Sequence, residues 1–316
     1  MKHTFRTQGT FVARIISEDM QIIPLIDSFL LNCRGKGLAK GTVEFYRKKL
    51  EYFARFCHEN GVHFITEITP SHIRYFLDLL TENGHNEGGV HAAYRSLKTF
   101  MFWYEDEVEP EGWKNPIRKV ATPRRSKIIL DPVTIETLDA MLDTCERGTF
   151  AGDRDRAILL CLFDCGARAQ EFLDIDLSDI KITMGEITIR SGKGRKTRTI
   201  YIGAKCRKAI RTYIKHRFDR LPALWVREDQ EGRLEYWGLR SILVRRATDA
   251  GVKTPSLHAF RRGFALNMLR NGVDVYALQR LMGHETLDIL KQYLKQTDQD
   301  LLLAHRLGSP VDTNMK

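Results

Sequence analysis

Six residues in the second half of the chain have side chains suited to chemistry on a phosphodiester. In order they supply an arginine, a lysine, a His-x-x-Arg pair, a histidine after a glycine, and a tyrosine: Arg168, Lys193, His258, Arg261, His284 and Tyr293. Guanidinium groups match the planar charge of a phosphate and can donate two hydrogen bonds to it. A tyrosine phenol can act as a nucleophile when a base or a positive field assists its ionisation. The set therefore predicts a phosphoryl-transfer site.

The first two of these residues also have ordinary structural interpretations. An isolated arginine such as Arg168 is more often structural, and Glu171, three residues later, is either a surface carboxylate or a partner that holds the arginine. Lys193 lies in a Gly-Lys-Gly turn, and such turns are commonly basic and solvated. Lys196 and Arg198 follow so closely that they compete for any role given to Lys193.

The His-x-x-Arg pair follows a helix-start signal, Thr254-Pro255-Ser256. A spacing of three residues places His258 and Arg261 on one helical face. Arg262 is an alternative phosphate ligand, but the spacing favours Arg261. A capping histidine beside a surface arginine is the structural alternative for the pair.

The N-terminal region predicts a polar arm over residues 1–20 and an all-helical bundle over residues 21–106. Apolar residues recur at helical spacing in four stretches. Turn and start signals separate these stretches: Asn60-Gly61, Thr69-Pro70-Ser71, Asn83-Gly84 and Gly88-Gly89. The first two apolar stripes include Leu25, Phe29, Leu30, Phe45, Leu50, Phe53 and Phe56.

Composition changes over residues 107–126, where three prolines and a late basic run predict a linker. The run can be a solvated loop or a strap across a DNA backbone. Residues 127–305 then predict a mostly α domain with a small antiparallel sheet, followed by a tail over 306–316. Asp131 and Pro132 predict the start of its first helix. Residues 153–165 predict a buried helix, and strand-like patterns flank the turn at Lys193.

Overall composition is that of a globular protein large enough for two domains. The 316 residues are 43% hydrophobic and 28% charged, and the net charge of +10 indicates a polyanionic partner. No apolar run is long enough for a membrane span, and Met1 to Met20 has no signal-peptide core. The six cysteines form no Cys-x-x-Cys pair, which favours reduced thiols in a cytoplasmic protein.

The order and spacing of the six residues resemble the catalytic domain of the tyrosine recombinase (phage integrase) family. The resemblance covers about residues 20–305, and its joint motif is highly specific. It implies a mainly α fold with a small antiparallel β-sheet, in which a SAM-like helical core-binding bundle precedes an α+β catalytic domain. It also implies a site-specific DNA recombinase that needs no cofactor and no metal.

The resemblance assigns a role to each residue. Arg168 and Arg261 clamp the scissile phosphate, and His284 adds a hydrogen bond to it. Tyr293 is the nucleophile, His258 assists its proton transfer, and Lys193 protonates the departing 5′-hydroxyl. The product is a 3′-phosphotyrosyl link that another strand's 5′-hydroxyl can attack, so that rejoining consumes no ATP.

The implied partner is double-stranded DNA at a specific site, with no membrane partner. Basic residues expected to contact it lie in both domains and the linker: Lys36, Lys40, Arg47, Lys48, Lys49, Arg118, Lys119, Arg124, Arg125, Lys196 and Arg198. The apolar patch Leu301-Leu302-Leu303 can pack on its own domain or dock on a neighbour. The resemblance favours docking, which closes a homotetramer on DNA and is compatible with a monomer free in solution.

Four positions depart from the family's common residues: Cys165 and Leu290 each replace a threonine, while Arg262 and Gly263 replace histidine and threonine. None of these changes removes a catalytic group. A type IB topoisomerase-like enzyme and a non-catalytic DNA-binding protein remain alternative functions. Relaxation of supercoiled DNA lacking a specific site distinguishes the first, and a covalent DNA adduct excludes the second.

Overall fold

A computed structural model describes residues 21–124, 126, 131–190 and 197–283, together with 302, 305, 306, 309 and 311. The chain divides into two compact units, Met1–Ile128 and Ile129–Lys316. The predicted fold class is confirmed, since the described residues are mainly helical and include one three-stranded antiparallel sheet. The arm over 1–20, Arg125, Lys193, Lys196, His284, Leu290 and Tyr293 lie outside the described residues.

The first unit contains four helices: α1 (Ile22–Gly35), α2 (Lys40–Glu59), α3 (Pro70–Glu82) and α4 (Glu87–Val108). The predicted start signal at Thr69 acts as a cap, because Thr69 accepts a hydrogen bond from the His72 amide. The prediction that Gly88-Gly89 precedes the fourth helix is wrong, because Asn86 is the N-cap and both glycines lie in the first turn. The predicted apolar stripes form one core, which includes Leu25, Phe29, Leu50, Phe53, Phe76 and Phe100. Phe45 is an exception, because it is 42% exposed.

The segment predicted as a linker packs on this helical unit over much of its described part. A short 3₁₀ helix, Pro116–Lys119, buries Ile117, and Val120 is buried next to it. The Tyr94 hydroxyl donates a hydrogen bond to the Val120 carbonyl at 3.1 Å. The apolar residues Ile117 and Val120 therefore hold residues 116–120 against α4. The charge and proline content of the segment did not predict this packing.

The second unit contains α5 (Ile135–Asp143), α6 (Phe150–Cys165) and α7 (Ala169–Leu173), then the sheet, then α8 (Ala204–Lys215), α9 (Tyr236–Asp249), α10 (Leu257–Arg270) and α11 (Val275–Met282). The prediction that Asp131 caps the first helix is wrong, because Thr134 is the N-cap and accepts from the Thr137 amide. The core packs α6 against α5, α8 and α10, and α9 packs against α5 and α7.

The sheet consists of β1 (Ile180–Lys181), β2 (Glu186–Ile189) and β3 (Arg198–Tyr201), in that order. Ile187 pairs with Ile200 and Ile189 with Arg198, so that one apolar face lies on the core. Period-two alternation explains why Ile187, Ile189 and Ile200 are buried while Thr199 and Tyr201 are exposed. The β2–β3 connection, which includes Lys193, joins Ile189 to Arg198, the last residue pair of the two strands.

Candidate active site

Arg168 is placed by the end of the buried helix α6. Gly166 ends that helix with φ of 58°, a left-handed conformation that favours glycine. A Cβ added there would lie 2.3 Å from the Phe264 ring of α10, so any other residue at this position would also require that ring to move. The turn brings Arg168 to the N-cap position of α7.

Glu171 holds Arg168 from the first turn of α7. The Arg168 amide donates to Glu171 Oε2 at 3.0 Å, and Arg168 Nη1 donates to Oε1 at 2.8 Å. Glu171 is only 5% exposed, whereas the Arg168 side chain is 29% exposed. The carboxylate therefore fixes the guanidinium from the interior and leaves part of it accessible.

Arg261 lies one helical turn after His258 on α10, which begins with Ser256 as its cap. It is 3% exposed, and its guanidinium donates to the carbonyls of Gly166 and Met282, the latter at 2.7 Å. Arg168 Nη2 donates to the Gly283 carbonyl at 2.8 Å. Arg261 thus bonds the backbone at the ends of both α6 and α11, and Arg168 bonds the backbone at the end of α11.

His258 is partly exposed at the surface of the unit and lies in a strongly positive environment. Partial burial lowers the pKa of His258, and the charges of Arg261, Arg262 and Arg168 lower it further. The imidazole is therefore mainly neutral near neutral pH and can accept a proton. This is the protonation state that a group assisting tyrosine ionisation requires.

Arg262 and Gly263, two of the departures from the family pattern, have a structural explanation. Arg262 Nη2 donates to the Asp131 carbonyl at 3.0 Å, so it contacts the chain just before α5. A Cβ on Gly263 would lie 2.6 Å from the Val133 carbonyl oxygen. The Val133 amide also donates to the Ala259 carbonyl at 3.0 Å. The stretch 131–133 is therefore docked directly on the first turns of α10.

The C-terminal end of α11 completes the described part of the site. Gly283 ends this helix with φ of 63°, a left-handed conformation that favours glycine. Phe264, Ala265, Leu278 and Met282 form a small apolar cluster that packs α11 on α10. His284 follows Gly283 directly in the sequence, so the end of α11 is the described point nearest to it along the chain.

The structure brings together Arg168, Glu171, His258 and Arg261, which the sequence proposed as site residues. It also adds Arg198, whose guanidinium bonds both oxygens of Glu171, at 3.0 and 2.7 Å. Sequence reasoning placed Arg198 among the DNA contacts and missed this pairing. The strand alternation in β3, which turns its first side chain inward, was the available signal.

The other proposed DNA-contact residues that the structure describes lie in the first unit. Lys36, Lys40, Lys48, Lys119 and Arg124 are exposed. Arg47 lies within 3.4 Å of Glu51, and Arg118 pairs with Glu105 at 2.8 Å. Lys49 is half-buried on α2. Their contact with DNA stays a prediction.

The buried Glu171 predicts a measurable pH dependence of stability. Burial alone would raise its pKa, but hydrogen bonds from Arg198 and Arg168 outweigh this and lower it to about 2. Because the folded-state pKa is below the unfolded value, its contribution is complete above about pH 5 and is lost as the pH falls towards 2. At pH 7, Glu171→Gln should lower the free energy of unfolding by about 3 kcal/mol.

Urea unfolding of the wild type and Glu171→Gln at a series of pH values measures this contribution. The difference between the two proteins should shrink as the pH falls below about 4.5. Asp174→Asn, at an exposed carboxylate on the same side of α7, is the control and should change little. A difference that stays constant with pH would contradict the depressed pKa.

Comparison with known proteins identifies the family to which the chain belongs. The model of the phage integrase family matches residues 133–300, and the model of the phage integrase N-terminal SAM-like domain matches residues 26–107. The chain belongs to the phage integrase family. The resemblance inferred from the sequence motifs is thereby confirmed.

Curated relatives in this family include tyrosine recombinases from a bacterium and an archaeon. Tyrosine recombinase XerC of Oceanobacillus iheyensis is 31% identical over 285 residues, covering 87% of this chain and 92% of the relative. Tyrosine recombinase XerA of Pyrococcus furiosus is 27% identical over 280 residues, covering 88% and 91%. This chain is therefore similar to tyrosine recombinases along nearly their whole length.

Solved structures share the fold. The Tn1549 transposon integrase in complex with a circular intermediate DNA has a TM-score of 0.72 and 17% identity, covering 92% of this chain and 100% of that chain. The XerH site-specific recombinase bound to palindromic difH substrate has a TM-score of 0.67 and 18% identity, covering 91% and 84%.

Three further observations concern the described residues only. Among them, no group of three or more His, Cys, Asp or Glu residues could hold a metal ion. None of the described helices is long and apolar enough to cross a membrane. All six cysteines are buried and unpaired.

Proposed function

We propose that this protein is a site-specific DNA recombinase that cuts and rejoins strands through a covalent 3′-phosphotyrosyl intermediate. The observation that carries the proposal is the convergence of Arg168, His258 and Arg261 at the ends of α6 and α11. Two guanidinium groups and a neutral imidazole are the groups that an anionic phosphate and a phenol nucleophile require. Membership in the phage integrase family supports the same conclusion.

In this mechanism the arginines bind the non-bridging oxygens of the scissile phosphate. The Tyr293 oxygen attacks phosphorus, and its proton passes towards His258. The bond to the 5′-oxygen breaks as Lys193 donates a proton to that oxygen, and His284 bonds the phosphate. A 5′-hydroxyl from another strand reverses these steps, so the bond energy of the phosphodiester is conserved.

The proposed substrate is duplex DNA, contacted by basic residues of both units, and the proposed working assembly is a homotetramer. The Tn1549 transposon integrase, solved in complex with a circular intermediate DNA, supports DNA binding by the shared fold. Exchange of the tail after Tyr293 between neighbours would close a cyclic assembly. A cytoplasmic location fits a DNA substrate and the unpaired cysteines.

Selection on random duplex DNA, followed by trapping on the selected site, tests the proposal. A nicked version of that site should yield a covalent adduct that survives a denaturing gel, and paired sites should yield exchanged strands. Efficient relaxation of supercoiled DNA without the selected site would favour the topoisomerase-like alternative. Tight binding with no adduct on any nicked site would favour the non-catalytic one.

The proposed acid, Lys193, can be tested by changing the leaving group. Lys193→Ala should slow cleavage of ordinary DNA by about 10²–10⁴-fold, the usual contribution of a general acid. A bridging 5′-phosphorothiolate leaves as a thiolate and needs little protonation, so it should restore most of the lost rate. Adduct formation on matched substrates gives both rates.

Two variants serve as controls for that rescue. Arg168→Ala should be rescued much less, because its defect concerns the non-bridging oxygens. Lys196→Ala should be near wild type on both substrates. Rescue of Lys196→Ala in place of Lys193→Ala would transfer the acid role to Lys196.

A further inference from the structure

The Glu171 carboxylate is shared by two arginines from different elements. Arg168 comes from the start of α7, and Arg198 is the first residue of β3. Arg198 Nη1 donates to Oε1 at 3.0 Å and Nη2 to Oε2 at 2.7 Å, which is a bidentate pair. The side chain of Arg198 is 15% exposed, about half the exposed fraction of Arg168. Of the two arginines, Arg198 is therefore the inner one.

Arg198 also contacts the turn at the end of α11. Its Nε donates to the Leu281 carbonyl at 3.3 Å. A Cβ on Gly283 would lie 2.9 Å from the same Nε, so the glycine lets the guanidinium pass close to the turn. The carbonyl of Gly283 in turn accepts from Arg168. Arg198 and Arg168 thus both donate hydrogen bonds to the Leu281–Gly283 turn and to the Glu171 carboxylate.

The connections of this side chain link three segments that carry proposed catalytic groups. Arg168 is reached through Glu171. The Leu281–Gly283 turn leads directly to His284. The strand β3 leads back along the chain to Lys193. Because one guanidinium connects all three segments, it can set the distances between the catalytic groups that they carry. A misplacement of a catalytic group by about 1 Å can lower the rate by about 10²-fold.

We propose that Arg198 is a positioning residue for DNA cleavage, which orients Arg168 through Glu171 and fixes the turn before His284, and that it does not contact DNA. The proposal rests on the proposed recombinase function. It replaces the DNA-contact role that the sequence suggested for Arg198. The reason is geometric and electrostatic: both outer nitrogens of the Arg198 guanidinium form a bidentate ion pair with the buried Glu171 carboxylate, and Nε donates to the part-buried Leu281 carbonyl. Phosphate binding by Arg198 would require breaking this ion pair, whereas Arg261 donates to backbone carbonyls.

Cleavage at saturating DNA separates positioning from binding. Arg198→Ala should slow adduct formation on the selected nicked site by about 10²-fold, while its DNA affinity stays within about threefold of wild type. Arg198→Lys keeps the charge but cannot make the bidentate pair, so it should show a similar loss of rate while remaining folded. An equal loss of affinity and rate in Arg198→Ala, with affinity restored by lysine, would overturn the proposal in favour of a DNA contact.

A double-mutant cycle tests whether Arg198 acts through Glu171. Either substitution alone breaks the Arg198–Glu171 ion pair. The double variant Arg198→Ala/Glu171→Gln should therefore cleave DNA at the rate of the slower single variant, within about threefold. Independent effects would multiply, and that result would refute the linkage. Arg233→Ala is the matched control, since Arg233 also bonds a carboxylate, Asp176, and the Leu173 carbonyl. Its rate should stay within about threefold of wild type at a comparable loss of melting temperature.

The same cycle measured on unfolding of the DNA-free protein separates this proposal from the proposed function. If the wild type forms no adduct on any selected DNA, the recombinase function fails. Strongly non-additive unfolding free energies for Arg198→Ala and Glu171→Gln would then still establish the pairing. Additive unfolding free energies would overturn the positioning role even if the wild type cleaves normally.

Discussion

Replacing Tyr293 with phenylalanine is expected to leave DNA binding intact and to abolish the covalent protein–DNA adduct. The substitution removes one oxygen, which is the atom that would attack phosphorus, and keeps the aromatic ring. Because no other group can form the phosphotyrosyl bond, the loss should be complete at the detection limit of a denaturing gel, at least about 10³-fold. Affinity measured by gel shift should change by less than about threefold.

Tyrosines that lie elsewhere in the second unit provide controls for this variant. Tyr276 and Tyr201 are 62% and 54% exposed, and phenylalanine at either should leave adduct formation near the wild-type level. An undiminished adduct in Tyr293→Phe, combined with its loss in Tyr276→Phe or Tyr201→Phe, would move the nucleophile to that residue.

Lysine at Arg168 or Arg261 should reduce cleavage by about 10²–10³-fold while changing affinity by less than about fivefold. Lysine keeps the charge but loses the planar fork. The structure makes this loss specific at Arg261, whose guanidinium spans the Gly166 and Met282 carbonyls. A single ammonium cannot bond both carbonyls and also orient towards a phosphate.

The neighbouring Arg262 is the natural control for this experiment. It has the same side chain on the same helix, but it donates to the Asp131 carbonyl. Arg262→Lys should therefore cleave within about fivefold of wild type. Single-turnover adduct formation measures all three variants, and an inactive Arg262→Lys beside a near-normal Arg261→Lys would reverse the assignment.

The helices that carry the site could be predicted because their ends are marked by local chemistry. Ser256 caps α10, and Gly283 ends α11 in a left-handed conformation that few other residues adopt. The choice of Arg261 over Arg262 rests on the same helical spacing and stays a prediction. These features depend on residues within one or two turns of each other, which sequence patterns report directly.

The features that could not be predicted depend on contacts between distant segments. Glu171 and Arg198 are 27 residues apart, and no local spacing indicates that they meet. Asp131 and Thr134 are both good N-caps, and the docking of Val133 on Ala259 selects the second. Charge and proline content suggested a free linker before α5, but burial of Ile117 and Val120 decided its placement.

The contact between residues 131–133 and α10 has an evolutionary consequence. Gly263 has no room for a Cβ against the Val133 carbonyl, and Arg262 bonds the carbonyl of Asp131. A threonine at position 263 would require the backbone around Val133 to lie elsewhere, which would in turn remove the partner of Arg262. Positions 131–133 and 262–263 are therefore expected to change together among homologues. A chimaera that exchanges α10 without residues 131–133 would combine segments that do not fit each other.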